Sequence, residues 1–345
     1  MNNALTRRFP AEWEAQDAVL LAWPHEQTDW SDQLEEAQRT FCEIIRAISH
    51  FEKVILLVPE KSHVHQALKF AHLQMDNICL FEAPYNDTWA RDFGPLSVQT
   101  DQGVLLLDFI FNGWGNKFRA ELDNQLTRKL SQAGAFGDTS VFSIPLVLEG
   151  GSLESDGSGT LLTTCECLLQ KKRNPHLGQQ QITTELMRLF GATQILWLEH
   201  GALKGDDTDS HIDTLARFAP DKTIIFQGCR DRADVHYSAL KAMHHQLEGF
   251  KSLDGGSYRL LELPWPQPSF DAEEQRLPAT YANFLVINGA VLVPTYKDPS
   301  DELAIGIIAQ AFPHREIIPI DCCALIKQHG SLHCVTMQLP RGVLS

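Results

Sequence analysis

No uninterrupted apolar run in the 345-residue chain approaches the roughly 18 residues that a membrane helix needs. A membrane partner is therefore not expected. Basic residues are few: 29 Lys and Arg against 44 Asp and Glu leave a formal net charge of -15, and no basic block compensates it. That balance argues against nucleic acid and mildly favours cationic ligands through the long-range field. Cysteine is too sparse, at 8 residues, for a disulfide scaffold. Neither Cys165/Cys167 nor Cys322/Cys323 has the spacing of a zinc knuckle. Met1–Pro10 carries no apolar leader segment, so a reduced, cytoplasmic setting is expected. Low-complexity segments are absent. The one Pro-rich stretch, Pro264–Pro268, is short, runs into charged residues, and reads as a surface loop.

What the chain does have is alternation. Leu34–Phe51 has helical spacing, with Phe41, Ile44, Ile45 and Ile48 on one face. Val54–Val58 reads as a buried strand, Ser62–His72 as a helix and Ile78–Phe81 as a strand. Leu96–Val98 and Val104–Phe109 form a hairpin pattern. Gly159–Thr164, Gln179–Phe190 and Gln194–Leu198 read as strand, helix and strand, with Leu168-Leu169 extended. Phe284–Ile287 and Ala290–Pro294 flank Asn288-Gly289, a strong hairpin signal. Ser300–Ala311 follows as a helix, Glu316–Pro319 as a strand and Leu332–Gln338 as the last strand. Hairpin, helix and strand thus recur, either as internal repetition or as ordinary α/β alternation.

Four segments carry chemistry. Gly330-Ser331-Leu332-His333-Cys334 puts a thiol after a small-residue loop. Such a cysteine is either a buried small hydrophobe or a nucleophile at the mouth of a site. On a strand His333 would face away from Cys334, which makes it a weak partner. His211, within Thr208–Asp213, is a better one. If Ser210–Arg217 is extended, His211 and Asp213 share a face, and the carboxylate can hold the imidazole protonated. Otherwise the segment is a solvated acidic loop. In Trp89-Ala90-Arg91-Asp92, Trp89 can pack on a cation and Asp92 can clamp a guanidinium. The alternative is a turn with a surface Arg91–Asp92 pair. Glu149-Gly150-Gly151 offers a second carboxylate beside a backbone that admits close approach, or a plain turn. Gly113-Trp114-Gly115 reads as a pocket wall or an exposed loop.

One at a time these signals are weak, but their order is specific. W-x-R-D-x-G-P, F-N-x-W-G, E-G-G-S, T-D-x-H-I-D and a C-terminal H-C strand together resemble the agmatine deiminase family, grouped with the bacterial type of peptidylarginine deiminase. The resemblance runs from about Trp23-Pro24 to the C-terminal strand. It implies the pentein fold, an α/β propeller of five ββαβ modules around a central site, as one catalytic domain spanning 1–345. It also implies hydrolysis of a guanidinium to a urea with no metal and no organic cofactor. By position Cys334 would be the nucleophile and His211 the general acid/base, with Glu149 beside it. Asp92 and Asp213 would grip the guanidinium, and Trp89 and Trp114 would line the substrate. Agmatine is the leading substrate, giving N-carbamoylputrescine, and a homo-oligomer is left open. A peptidylarginine or other guanidine deiminase is an alternative, as are a catalytically silent pentein and, less well, a cysteine protease. Ser210, Thr214 and Ser331 stand where the family pattern usually has Gly, Glu or Asn, and Asn.

Overall fold

The computed structural model describes residues 6–344. Residues 1–5, on which the expected absence of a leader segment partly rests, and residue 345, like them part of the expected domain span, lie outside the described residues.

The hairpin–helix–strand recurrence is a true repeat. Four sheets in chain order each begin with an antiparallel pair and add a third strand in parallel through a helix. They pair Leu96–Thr100 with Gly103–Ile110 and Ser140–Val147, then Glu154–Ser155 with Thr160–Thr164 and Gln194–Leu198. Ala216–Ala219, Thr223–Gln227 and Arg259–Leu263 follow, then Leu285–Ile287, Ala290–Thr295 and Glu316–Asp321. The fifth sheet closes the ring. Its first strand is C-terminal Met337–Pro340, antiparallel to Gln16–Ala22, which runs parallel to Lys53–Val58. The crossover helices are Leu34–Phe51, Leu126–Gln132, Gln179–Phe190, Tyr237–Gly249 and Asp301–Ala311. This is the five-module pentein plan.

The helix Leu34–Phe51 shows why these elements form. Glu35 and Glu36 sit in its first turn, where the helix dipole favours acids. Ala37, Phe41, Ile44, Ile45 and Ile48 are all buried, and each large one contributes about 1.5–3 kcal/mol by leaving water. Among the described residues no helix is long and apolar enough to cross a membrane.

Three local expectations are corrected. Leu332–Gln338 is not one strand: residues 332–336 form a turn, with the Thr336 hydroxyl donating to the Leu332 and His333 carbonyls, and pairing starts only at Met337. Cys165–Leu168 is a helical turn, capped by the Thr164 side chain, where Leu168-Leu169 was expected extended. Ser210–Arg217 holds a 3-10 turn at Ile212–Thr214 before the strand begins at Ala216. In each, a side-chain hydroxyl or a tight turn satisfies backbone groups that a ladder would otherwise take.

Candidate active site

Each module delivers its chemistry from the same place, the few residues before its first strand. Asp92 lies in the helical turn Ala90–Phe93 before Leu96. Glu149 caps the turn Gly150–Ser152 before Glu154. His211 and Asp213 lie at Ile212–Thr214 before Ala216, Asn283 precedes Leu285, and Cys334 precedes Met337. All five of the expected catalytic side chains are buried.

Asp92 is held from two sides. Trp114 Nε1 donates to its Oδ2 at 2.9 Å and the Gly151 amide to its Oδ1 at 3.0 Å. His211 Nδ1 lies 3.6 Å from Asp92 Oδ1, and His211 Nε2 lies 3.9 Å from Glu149 Oε2. The imidazole therefore stands between two carboxylates. Burial disfavours its charged form, but Asp92, Cys167 and Glu149 outweigh that and raise its pKa well above the usual value. The partner expected from sequence, Asp213, is instead hydrogen-bonded to His333, whose Nδ1 is 2.8 Å from Asp213 Oδ2. The shared-face reading assumed a strand where the chain turns; both side chains still approach Gly151, but Asp213 takes His333 and not His211 as its hydrogen-bond partner.

Cys334 Sγ donates to Asn283 Oδ1 at 3.4 Å and lies 4.0 Å from Asp213 Oδ2. Burial raises its pKa well above that of a free thiol, and Asp213 and Asp92 add to the shift. Burial also lifts Asp92 to about 6, opposed by His211 and reinforced by Asp213 and Glu149. Glu149 and Asp213 move the other way. Burial works against their charge, but His211 and Arg173 hold Glu149 low, and His333 holds Asp213 low. Asp213 Oδ1 has no hydrogen-bond partner, an acceptor left over in a buried site.

Two glycines make the site possible. A Cβ at Gly151 would lie 2.5 Å from His211 Nδ1 and 3.0 Å from Asp92 Oδ1, and one at Gly330 would lie 2.1 Å from the Trp89 ring. These backbones form walls that no larger residue can replace.

Above Cys334 opens a cavity of about 560 Å³. Trp89, Trp114 and Gly330 line it, and so do Asp29, Asp87, Asp92, Asp123, Asp206 and Asp207. Gly113-Trp114-Gly115 is thus pocket wall. The Trp89 and Trp114 rings meet edge to face at 6.5 Å between centroids. Arg91 does not pair with Asp92 in solvent. It is buried and turns toward Glu12, Gln338 and Met337 on the far side.

Sequence reasoning missed Asn283 and Arg173. Arg173 Nε lies 2.9 Å from both Glu149 oxygens, and its Nη1 lies 2.7 Å from Asp209. Lys171-Lys172-Arg173 reads as a solvated basic run, and nothing local marks its burial. Asn283 had a usable signal, since it stands before its hairpin as Asp92 does before its own. Ser210 has φ 63°, the conformation that makes glycine common there.

Residues 8–340 match the model of the Porphyromonas-type peptidyl-arginine deiminase family. A curated relative from Marinomonas sp. (strain MWYL1), provisionally named an agmatine deiminase, is 34% identical, covering 96% of this chain and 94% of its own. A Porphyromonas gingivalis structure, provisionally named an arginine deiminase, is 48% identical with a TM-score of 0.92, covering 97% of this chain and 99% of the other. A C. jejuni agmatine deiminase, solved as a Cys-to-Ser variant with substrate bound, is 40% identical with a TM-score of 0.92, covering 99% of each chain. With its fold, its motif order and its full-length relatives in agreement, the chain belongs to the Porphyromonas-type peptidyl-arginine deiminase family, among agmatine deiminase-type hydrolases.

Proposed function

We propose that the protein, acting as one catalytic domain, hydrolyses agmatine to N-carbamoylputrescine and ammonia through a thioether on Cys334. The observation that carries this reading is the charge of the cavity. Six aspartates line it, while the cations at its rim are engaged: Lys117 with Asp209 at 2.7 Å and Arg119 with Glu121 at 3.0 Å. His329 Nδ1 is 2.7 Å from the Gly205 carbonyl. A dication without a carboxylate fits such a wall. Arginine would bring a carboxylate with nothing to receive it. Burial lifts Asp87 and Asp123 to about 7, with neighbouring acids adding to the rise. Their full charge would return when a distal ammonium arrives.

The chemistry follows from the placement. Asp92 and Asp213 grip the guanidinium nitrogens and keep the group protonated. Its positive charge offsets the carboxylates that hold Cys334 in the thiol form, so the thiol releases its proton to solvent as substrate binds and the thiolate forms where it is needed. Sulfur adds to the guanidinium carbon. The His211 imidazolium gives its proton to a departing nitrogen, and ammonia leaves. Neutral His211 then takes a proton from water, whose oxygen attacks the S-linked amidinium. The C–S bond breaks, the ureido carbonyl forms, and the remaining proton leaves with ammonia as ammonium. Glu149 steadies His211 from behind, and Trp89 packs along the substrate.

The test is rapid acid quench of the wild-type chain turning over agmatine, followed by peptide mass analysis. An amidino adduct on the Cys334 peptide is expected, and turnover with no adduct on that peptide would overturn the covalent route.

A further inference from the structure

The Nε2 side of His211 faces Glu149 and Cys167 and passes no proton to the substrate. Its Nε2 is buried and has no hydrogen-bond partner, because Glu149 Oε2 at 3.9 Å is too far away. Cys167 Sγ completes a triangle. One donor atom each from Glu149, Cys167 and His211 lies within 4.8 Å of the other two, and all three residues are buried. Cys167 comes from the helical turn Cys165–Leu168, which the Thr164 side chain fixes. These are a thiol, an imidazole and a carboxylate, which once deprotonated are the ligand types of zinc.

We propose that Glu149, Cys167 and His211 form an inhibitory site for Zn²⁺, which clamps His211 from behind and stops its proton transfer. With Zn–S about 2.3 Å and Zn–N or Zn–O about 2.0–2.1 Å, tetrahedral ligand atoms stand roughly 3.3–3.6 Å apart. The observed 3.9 Å between His211 and Glu149 closes with small side-chain shifts. Arg173 contacts both Glu149 oxygens, but a carboxylate has about four lone-pair sites, so Oε2 can also face a metal. The Arg173 charge is already shared with Asp209. Binding releases the Cys167 thiol proton and the His211 Nε2 proton to solvent. The imidazole then keeps a proton on Nδ1 and cannot act as a base toward water. The ion is not a cofactor, and chelation should leave turnover intact or raise it. Metal binding stands independent of the agmatine reading; only the word inhibitory rests on it.

The test uses the full chain with Co²⁺ as a spectroscopic probe and Zn²⁺ as competitor. A thiolate-to-cobalt charge-transfer band is expected in wild type and in Cys334→Ser, removed by Zn²⁺, and absent from Cys167→Ala with unchanged circular dichroism. No band in wild type, loss in Cys334→Ser, or persistence in Cys167→Ala would each overturn the assignment. If Cys167→Ala fails to fold, X-ray absorption of Zn²⁺-loaded Cys334→Ser decides. One sulfur with an imidazole supports the site, and two sulfurs, or none, overturn it. In ammonia release, the Zn²⁺ inhibition constant should rise at least about 100-fold in Cys167→Ala, since even outer-shell partners are worth about 10–100-fold in metal affinity.

Discussion

The polar centre of this protein has two faces that use the same residue types in opposite ways. On the underside Glu12 and Glu154 meet Arg91, Arg217 and His333, while Asp213 stands between the two faces, bound to His333 through Oδ2 and unpartnered at Oδ1. Arg217 pairs with Glu12 and Glu154 and donates to the Phe284 carbonyl at 2.7 Å. His333 bridges Asp213 at 2.8 Å and Glu12 at 2.7 Å. On the cavity side Asp87 and Asp123 pair with neither of the basic side chains that line the pocket, since Lys117 is held by Asp209 and Arg119 by Glu121, and Asp92 has only His211 near it. Paired carboxylates hold the ring of modules together, and unpaired ones wait for a cation. A side chain's function is therefore set less by its type than by whether its charge is already answered.

Substitutions should break that contrast in order. Cys334→Ser is expected to abolish ammonia release while circular dichroism stays unchanged, because a hydroxyl is a far poorer nucleophile at neutral pH. Substantial residual activity would remove sulfur from the mechanism. Asp92→Asn keeps shape and removes charge. Loss of one partner of a buried pair costs about 2–5 kcal/mol, or roughly 30-fold to several-thousand-fold in kcat/KM at about 1.4 kcal/mol per tenfold. A folded variant within about fivefold of wild type, near 1 kcal/mol, would put Asp92 outside the site.

The underside should respond through stability. Arg217→Met leaves Glu154 without its cation and Glu12 with only Arg91 and His333, and urea denaturation should show a loss of about 3–5 kcal/mol. Asp87→Asn on the cavity side should not destabilise the fold and at pH about 7.5 should raise the unfolding free energy, because it removes a carboxylate whose charge burial disfavours. It should still raise KM for agmatine several-fold, with a smaller effect on a guanidine that lacks the distal amine. If the two variants exchange these behaviours, the division between faces is wrong.

The smallest effect is a pH dependence. Asp87 and Asp123 titrate at about 7 in the folded chain, and burial pushes Glu52 to about 7 as well. Unfolded carboxylates titrate near about 4. Between those values the folded state binds more protons, so stability falls as pH rises from about 5 to 7.5. The melting temperature of the ligand-free protein should decline over that window, and Asp87→Asn/Asp123→Asn should flatten the slope. An unchanged slope would mean these groups are already charged.

Much of this organisation is legible in the sequence where the signal is local. The apolar stripe of Leu34–Phe51 and the Asn288-Gly289 turn specify their elements, because period and turn chemistry act over a few residues. Asp92, Glu149, His211, Asp213 and Cys334 stand out by motif order, and the fold brings them close together, with Asp92 and Cys334 reaching the cavity. What the sequence hides is non-local. Arg173 is buried because Glu149, 24 residues away, needs a cation. The pairing of His333 with Asp213 depends on a turn at 332–336 whose apolar alternation imitates a strand. Asn283 becomes conspicuous only when the modules are aligned on their first strands.

The most direct measurement is ammonia release, compared as kcat/KM, over agmatine, arginine and a blocked arginine peptide. A cavity with six aspartates and no free cation should favour agmatine over arginine by at least about 100-fold, since an unanswered carboxylate in a partly buried acidic site costs about 3 kcal/mol or more. Equal rates on arginine, or preference for the peptide, would contradict the claim that the unpaired carboxylates select a dication.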